Sequence, residues 1–154
     1  MSTVADELAI RNLVAGYADA LHRRDAQAWG DDWAEDAKWI MPSSPETPMK
    51  KLEFSGRETI RSVWVRAMSG FPVVHHIYHS GQITFADQTA GRWYVSEYMT
   101  DADGGAWRIF GVYEDKYTQK DGRWLFAERD FTVLFRGPAE AEGVSYPHPQ
   151  AVGF

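Results

Sequence analysis

Apolar residues near the start of the chain recur at intervals of three and four. The segment VADELAIRNLVAGYADALHRRD carries such a set on one helical face: Ile10, Leu13, Val14, Tyr17 and Leu21. Thr3 followed by Asp6 is typical of a helix N-cap with an acidic first turn. The pattern therefore predicts a long amphipathic helix at the N-terminus.

Two further helices are predicted before the pattern changes. Asp25 can cap a short helix in AQAWGDDWAED. Ser55 and Glu58 have the spacing of a capping box in front of GRETIRSVWVRAMSG, whose Ile60, Val63, Trp64 and Met68 share a face. Between these helices, residues 37–41 are predicted to form a strand, and the prolines that follow predict a loop.

After Val73 the pattern changes to a period of two. Four strands are predicted at residues 73–86, 91–101, 106–119 and 123–136, joined by the turn-rich segments ADQTAG, DADGG and QKDG. Strands this long usually belong to a strongly curved sheet. We therefore predict an α+β fold, a cone-shaped α+β barrel in which a curved antiparallel sheet wraps around the N-terminal helices and encloses a cavity. We expect residues 1–136 to form this single domain and residues 137–154 to form a tail.

Composition and charge exclude several classes of function. The net charge of −6 over 154 residues argues against nucleic acid or an anionic membrane as the main partner. The chain has no cysteine, which excludes disulfides, thiolate zinc sites and thiol nucleophiles. The N-terminus does not resemble a signal peptide, and no stretch approaches the roughly 18 apolar residues of a membrane helix. We therefore expect a cytoplasmic protein.

Three of the five histidines lie in the segment FPVVHHIYHSGQITF on the first long strand. Strict alternation places His75 and His79 on one face and His76 on the other. All three could bind one metal ion only if a bulge intervened, for which Gly81 is a suitable position. His75, His79 and Glu97 could form a two-histidine, one-carboxylate site. No HExxH motif or second ligand cluster supports such a site, so we predict no metal. The ordinary alternative is that two of the three are surface residues.

The segment AIRNLVAGYADALHRRDAQAWGDDWAEDAKW and the order of the elements resemble the SnoaL-like branch of the nuclear-transport-factor-2-like superfamily. In that branch the pattern Y-A-x-x-x-D-x-x-D-x-x-x-W followed by F-A-x-D-A-x-W recurs. The resemblance covers about residues 5–136 and implies the cone-shaped fold. The superfamily includes dehydratases, isomerases, cyclases, a dehydrochlorinase and non-catalytic subunits, so the resemblance implies no single reaction.

The resemblance also implies site residues. In scytalone dehydratase, bile-acid 7α-dehydratase and hexachlorocyclohexane dehydrochlorinase, a histidine on the first long strand is the base, and an aspartate late in the first helix orients it. The histidine matches His76, and the helix tyrosine of the bile-acid enzyme matches Tyr17. The aspartate position is occupied by His22, which could set a tautomer, act as the acid or bind substrate, or simply face solvent. Asp19 is a possible replacement carboxylate. A cavity-facing arginine on the last strand of the related enzymes matches Arg129 in this chain.

Several further residues are candidates for substrate binding, some of them aromatic side chains that would suit a flat or cyclic ligand. They are His79, Trp39, Trp64, Glu97, Arg129 and Phe131. The ordinary alternative for these aromatic residues, and for Tyr17, is packing in the hydrophobic core. Because Glu97 and Tyr98 are adjacent on a central strand, only one of them can face the cavity.

Two functions from different classes remain open. The first is a cofactor-independent lyase of dehydratase type, acting on a small hydrophobic, aromatic or cyclic molecule through His76 with Tyr17 and His22. The second is a non-catalytic binding or structural subunit, like the small subunit of ring-hydroxylating dioxygenases. An isomerase, a cyclase or a carbon–carbon lyase is also compatible with the resemblance. We predict no cofactor for the first function, because its chemistry needs only an acid and a base.

We also predict a homo-oligomer, either a trimer or a dimer. Helices on the concave side leave the convex face of the sheet bare, and aromatic residues such as Trp93 or Tyr94, Tyr113 and Trp124 would be exposed there. Related dehydratases are trimers. The tail could close the pocket of its own subunit or dock on a neighbouring subunit.

Overall fold

The computed structural model describes residues 3–44, 47–140 and 143–153. Helix α1 (Val4–Arg23) begins with the expected cap, because the Thr3 side chain accepts a hydrogen bond from the backbone N–H of Asp6 and the Asp6 carboxylate accepts one in return from the N–H of Thr3. The helix ends at Arg23 and is capped by Arg24, which adopts a left-handed conformation with φ of 56°. The predicted apolar face is buried.

The two shorter helices differ from the prediction at their boundaries. Helix α2 (Ala26–Asp31) is capped by Asp25 as expected, but Trp33 already belongs to the next strand. Helix α3 (Arg57–Ser69) begins after Gly56, which has φ of 88° and makes no side-chain cap. The predicted capping box is therefore wrong: Ser55 is the last residue of a short strand, and the glycine is needed for the sharp change of direction.

Six strands form one sheet. They are β1 (Trp33–Pro42), β2 (Lys51–Ser55), β3 (Val73–Thr84), β4 (Ala90–Thr100), β5 (Ala106–Lys120) and β6 (Arg123–Pro138). The order across the sheet is β2-β1-β6-β5-β4-β3. The sheet is not wholly antiparallel as predicted, because β1 pairs in parallel with β6. Strand β2 was not predicted.

The sheet curves around α1. This helix contacts both β3 and β6, although β4 and β5 separate those two strands in the sheet. One helix can reach both only if the sheet wraps around it. The α+β cone predicted from the sequence is confirmed. Among the described ranges, no helix is long and apolar enough to cross a lipid bilayer.

Strand β3 contains a bulge at His79. Tyr78 pairs with Val95 while Ser80 pairs with Tyr94, so His79 is an extra residue on its strand. The bulge is therefore not at Gly81, the position suggested by the sequence. Gly81 is instead required by its neighbour, because an added Cβ would lie 2.1 Å from the ring of Trp93.

The outer face of the sheet carries fewer of the expected aromatic residues. Trp93 and Tyr113 face the interior, with 6% and 1% of their surfaces exposed, because each lies on the same face as buried neighbours of its own strand. Tyr94 does face outward, next to Phe110. Trp124 is half-buried and its indole N–H donates to Asp6.

Candidate active site

His76 lies on the inner face of β3, directly opposite Glu97 on β4. The side chains are 8% and 5% exposed, and Nε2 of His76 lies 3.2 Å from Oε1 of Glu97. This contact has the distance of an ion pair without the alignment of a hydrogen bond, and such bonds often tighten only when substrate binds. On the other side of the ring, Nδ1 of His76 has no hydrogen-bond partner within the described part of the chain. A carboxylate therefore lies beside one imidazole nitrogen and leaves the other available.

His22 contacts the backbone of His76 rather than its ring. Nε2 of His22 accepts a hydrogen bond of 3.0 Å from the backbone N–H of His76. Because Nε2 is the acceptor, the ring proton must be on Nδ1 and the ring is neutral. Burial lowers the pKa of His22, and the nearby His76 and His75 lower it further. His22 thus joins the end of α1 to the edge strand β3.

Tyr17 is buried under a cation. The guanidinium carbon of Arg129 lies 4.3 Å from the centre of the Tyr17 ring. Burial raises the pKa of Tyr17 to about 12, although the attraction of Arg129 opposes this shift. A hydroxyl with this pKa keeps its proton at neutral pH. Tyr17 is therefore better suited to donate a hydrogen bond than to give up a proton.

Arg129 forms a fully buried ion pair with Asp115, its direct partner across β5 and β6. Nε of Arg129 lies 2.9 Å from Oδ1 and Nη2 lies 3.2 Å from Oδ2. The Tyr117 hydroxyl donates to Oδ2 at 2.9 Å and in turn accepts from the indole N–H of Trp93 at 2.7 Å. Every oxygen of the carboxylate is thus bonded.

Aromatic rings enclose the same guanidinium. Its central carbon lies 4.1 Å from the ring of Tyr113, 4.2 Å from that of Phe126 and 5.6 Å from that of Tyr78. Burial alone would lower the pKa of Arg129, but Asp115 and these tyrosines raise it well above its ordinary value. Arg129 therefore remains a cation, and its Nη1 has no hydrogen-bond partner in the described ranges.

The predicted aromatic residues also lie in the interior. Trp64 stacks on Trp29 at 4.5 Å between ring centres, and Trp39 lies 5.6 Å from Trp29. Phe131 packs against Tyr113 at 4.6 Å. Trp39 is also the neighbour of Arg129 across β1 and β6.

His79 and His75 are not part of this interior. His79 is exposed on the outer face, where Nε2 lies 2.6 Å from the Ser96 hydroxyl. His75 is also exposed, whereas Glu97 points inward, so the alternative metal site of these three residues is not assembled. Within residues 3–44, 47–140 and 143–153, no three or more His, Asp or Glu side chains are grouped to hold a metal ion.

Tyr78, Tyr113 and Asp115 were not predicted as site residues, and Tyr113 was expected on the outer face. Tyr78 could have been found, since it lies two residues after His76 and therefore on the same face. Asp115 could not, because its role depends on lying opposite Arg129.

Open surface grooves lie elsewhere. One of about 390 Å³ is lined by residues that include Gln82, Arg92, Glu114, Lys116 and Glu128. This groove lies on the outer face of the sheet, whereas His76 lies on the inner face. Its charged side chains form ion pairs with one another, Arg92 with Glu114 and Lys116 with Glu128. The polar cluster inside the cone is the better candidate site.

Solved structures with the same fold include several proteins of the same size. A hexachlorocyclohexane dehydrochlorinase of type 2 superposes with a TM-score of 0.79 and 17% identity, covering 94% of this chain and 95% of that chain. A candidate aromatic ring hydroxylase from Novosphingobium aromaticivorans has a TM-score of 0.78 and 21% identity, covering 90% and 96%. A candidate scytalone dehydratase from the same organism has a TM-score of 0.77 and 15% identity, covering 90% and 91%. At these identities the likeness establishes the fold.

Sequence comparison identifies the family. No curated protein sequence is significantly similar to the chain. Residues 2–130, however, match the SnoaL-like domain family. Together with the cone-shaped fold, this match over most of the 154 residues confirms the resemblance, and the chain belongs to the SnoaL-like domain family.

Proposed function

We propose that this protein is a lyase that eliminates water from a small hydrophobic, cyclic or aromatic molecule. The observation that carries the proposal is the buried contact of 3.2 Å between Nε2 of His76 and Oε1 of Glu97. A carboxylate at Nε2 favours the tautomer with its proton on Nε2, and it stabilises the imidazolium that forms when Nδ1 accepts a proton. Elimination chemistry in the names of two fold neighbours supports the same class of reaction.

The reaction needs one base and one acid. Nδ1 of His76 removes a proton from a carbon that is acidified by a neighbouring carbonyl or phenol. The electron pair of that C–H bond forms the new carbon–carbon double bond as the bond to the leaving hydroxyl breaks. The imidazolium returns its proton to the departing oxygen. The products are an unsaturated compound and water.

Glu97 supplies the negative charge beside the catalytic histidine that an aspartate on the first helix supplies in the related enzymes. In the related enzymes an aspartate holds the catalytic histidine, but here that position is His22, which bonds to the backbone of His76. The carboxylate comes instead from the neighbouring strand. His22 is a positioning residue in this proposal, and Tyr17 is a hydrogen-bond donor to the substrate.

Turnover of a panel of one-ring and two-ring β-hydroxy ketones tests the proposal, since dehydration gives an enone with strong ultraviolet absorbance. We expect His76→Gln to lower kcat/KM by about 10²-fold to 10⁴-fold and Glu97→Gln by about 10²-fold or more. Glu114→Gln is the matched control, because it makes the same change on the outer face of the adjacent strand. Turnover that is insensitive to His76→Gln would contradict the proposal.

A second candidate is a non-catalytic binding subunit. It is favoured by the replacement of the helix-1 carboxylate by His22 and by the similarity in fold to a candidate aromatic ring hydroxylase. The same panel separates the two functions. Tight binding of the ketones with no dehydration by the wild-type protein would support the binding subunit.

A further inference from the structure

Several buried hydrogen-bond donors on the inner side of the fold lack a partner among the described residues, and the indole N–H groups of Trp29 and Trp33 are two of them. Three others are Nη1 of Arg129, Nε1 of Trp39 and the hydroxyl of Tyr78. Buried polar groups in native proteins almost always have a partner, and an unsatisfied one is costly. A group of three such donors points to a bound acceptor.

The three donors come from neighbouring positions. Trp39 and Arg129 are direct partners across the parallel strands β1 and β6, and both side chains are buried on the inner face. The ring of Tyr78 has its centre 5.6 Å from the guanidinium carbon of Arg129. One acceptor atom of a ligand could therefore be shared among them.

The charges nearby favour a neutral acceptor over an anionic one. Arg129 already pairs with Asp115 through Nε and Nη2, which leaves only Nη1 for a ligand. Glu97 adds a second buried carboxyl group, and it is close enough to Tyr17, Tyr78 and Tyr113 to raise the pKa of each. A ligand carboxylate would add a further negative charge to this interior. A carbonyl oxygen would accept the same hydrogen bonds without that repulsion.

We propose that Arg129, Trp39 and Tyr78 bind the carbonyl oxygen of a cyclic β-hydroxy ketone. The inference rests on the proposed lyase function and names its substrate class. His76 and Tyr78 are two residues apart on one face of β3, which places their Cα atoms about 7 Å apart. The base and the donors can thus contact opposite parts of one ring-sized ketone. As Nδ1 of His76 removes the proton, electron density moves onto the carbonyl oxygen, where the three donors stabilise it.

Binding of a matched pair of ligands tests this site without turnover. 1-Indanone and indane share one bicyclic carbon skeleton and differ in the carbonyl oxygen. We expect 1-indanone to bind about tenfold more tightly than indane, because it fills the unsatisfied donors. In ¹⁵N–¹H NMR spectra, the indole N–H signal of Trp39, assigned with Trp39→Phe, should move downfield with 1-indanone and not with indane. Binding of 1-indanone no tighter than that of indane, including binding of neither, would overturn the proposal.

Tyr78→Phe removes one donor and little else. Because the hydroxyl has no partner within the described part of the protein, we expect Tm to stay the same or rise, while the Kd for 1-indanone increases about fivefold and that for indane does not change. Tyr94→Phe, on the outer face, is the matched control. An unchanged Kd for 1-indanone in Tyr78→Phe would contradict the site.

Failure of this site and failure of the lyase function are distinguishable. A protein that binds 1-indanone as described but whose turnover does not depend on His76 keeps the carbonyl site and loses the proposed reaction. Turnover that depends on His76, without selective binding of 1-indanone, keeps the reaction and removes the carbonyl site.

Discussion

The imidazole of His22, in the last turn of α1, accepts a hydrogen bond from the backbone N–H of His76 on the edge strand β3. A protonated ring would have no lone pair for this bond. The tertiary contact between helix and strand therefore requires the neutral form of His22, and the lowered pKa of His22 has the same direction.

We expect this contact to make the fold sensitive to acid. The pKa of His22 is lower in the folded protein than its ordinary value of 6.5, so the unfolded chain binds the proton first as the pH falls. The free energy of unfolding should have its full contribution from His22 above about pH 6.5 and should decrease as the pH falls through the lowered pKa. Besides His75 and His76, His148 also lowers this pKa.

Urea denaturation at several pH values between 7.5 and 5 measures this effect. His22→Gln should lose about 1 kcal/mol at neutral pH and show a flatter dependence on pH than the wild type. His79→Gln, which removes an exposed histidine, should keep the wild-type slope. An equal slope in wild type and His22→Gln would contradict the prediction.

The ion pair of Asp115 and Arg129 should be far more costly to break than to replace. Asp115→Asn leaves the buried guanidinium without a counter-charge, and we expect a loss of about 3–5 kcal/mol. Asp115→Leu combined with Arg129→Met removes both charges of this pair, so the double variant should lose less than the sum of the losses in Asp115→Leu and in Arg129→Met alone. A double-mutant cycle by denaturation measures this coupling, and additive effects would refute it.

Two glycines should respond to alanine with opposite signs. Gly81→Ala brings a methyl group into the ring of Trp93 and should destabilise the protein by about 1–3 kcal/mol. Gly16 lies within α1, where the atom nearest to an added Cβ is 3.8 Å away. Gly16→Ala should therefore stabilise the protein by about 0.5–1 kcal/mol. Thermal unfolding distinguishes the two, and a stabilising effect of Gly81→Ala would contradict the prediction.

The C-terminal tail should stabilise the end of α1. The backbone N–H of Val152 donates to the carbonyl of Arg23 at 2.8 Å, which satisfies one of the free carbonyls of the helix. We expect Val152→Pro, which removes this donor, to lower the free energy of unfolding by about 1 kcal/mol, whereas Val152→Ala keeps the N–H and should have little effect. Deleting residues 138–154 tests the tail as a whole. If stability, turnover and assembly are all unchanged in this variant, the tail has no role in them.

We still predict a homo-oligomer, but the structure indicates different residues for its interface. The outer face exposes apolar side chains on β3 to β6, namely Ile77 (55%), Tyr94 (37%), Phe110 (38%), Leu134 (52%) and Phe135 (53%). We expect light scattering to give a dimer or trimer, and Phe135→Glu to give a monomer because it places a charge in this patch. Gln119→Glu, at the exposed end of β5, is the control. A wild-type mass of 17.5 kDa at micromolar concentration would contradict the prediction.

Local patterns were sufficient for the helices and the long strands, although not for β2, and for the buried face of α1. The spacing of Ile10, Leu13 and Tyr17 predicted the buried face of α1, and alternation predicted that His76 faces away from His75. These features depend on helical or strand geometry within a few residues, so the sequence contains them directly.

Pairing between distant strands was decided only in the tertiary structure. Continuing the register of Ser80 and Tyr94 without the extra residue at His79 would place Tyr98 opposite His76, whereas the bulge places Glu97 there. The parallel pairing of β1 with β6 likewise brings Trp39 beside Arg129. Alternation determines the face of each side chain, but the partner across the sheet depends on bulges and strand order. These are set by packing of the whole domain, and so the sequence by itself indicated His76 and Glu97 as separate candidates but not that they lie against each other.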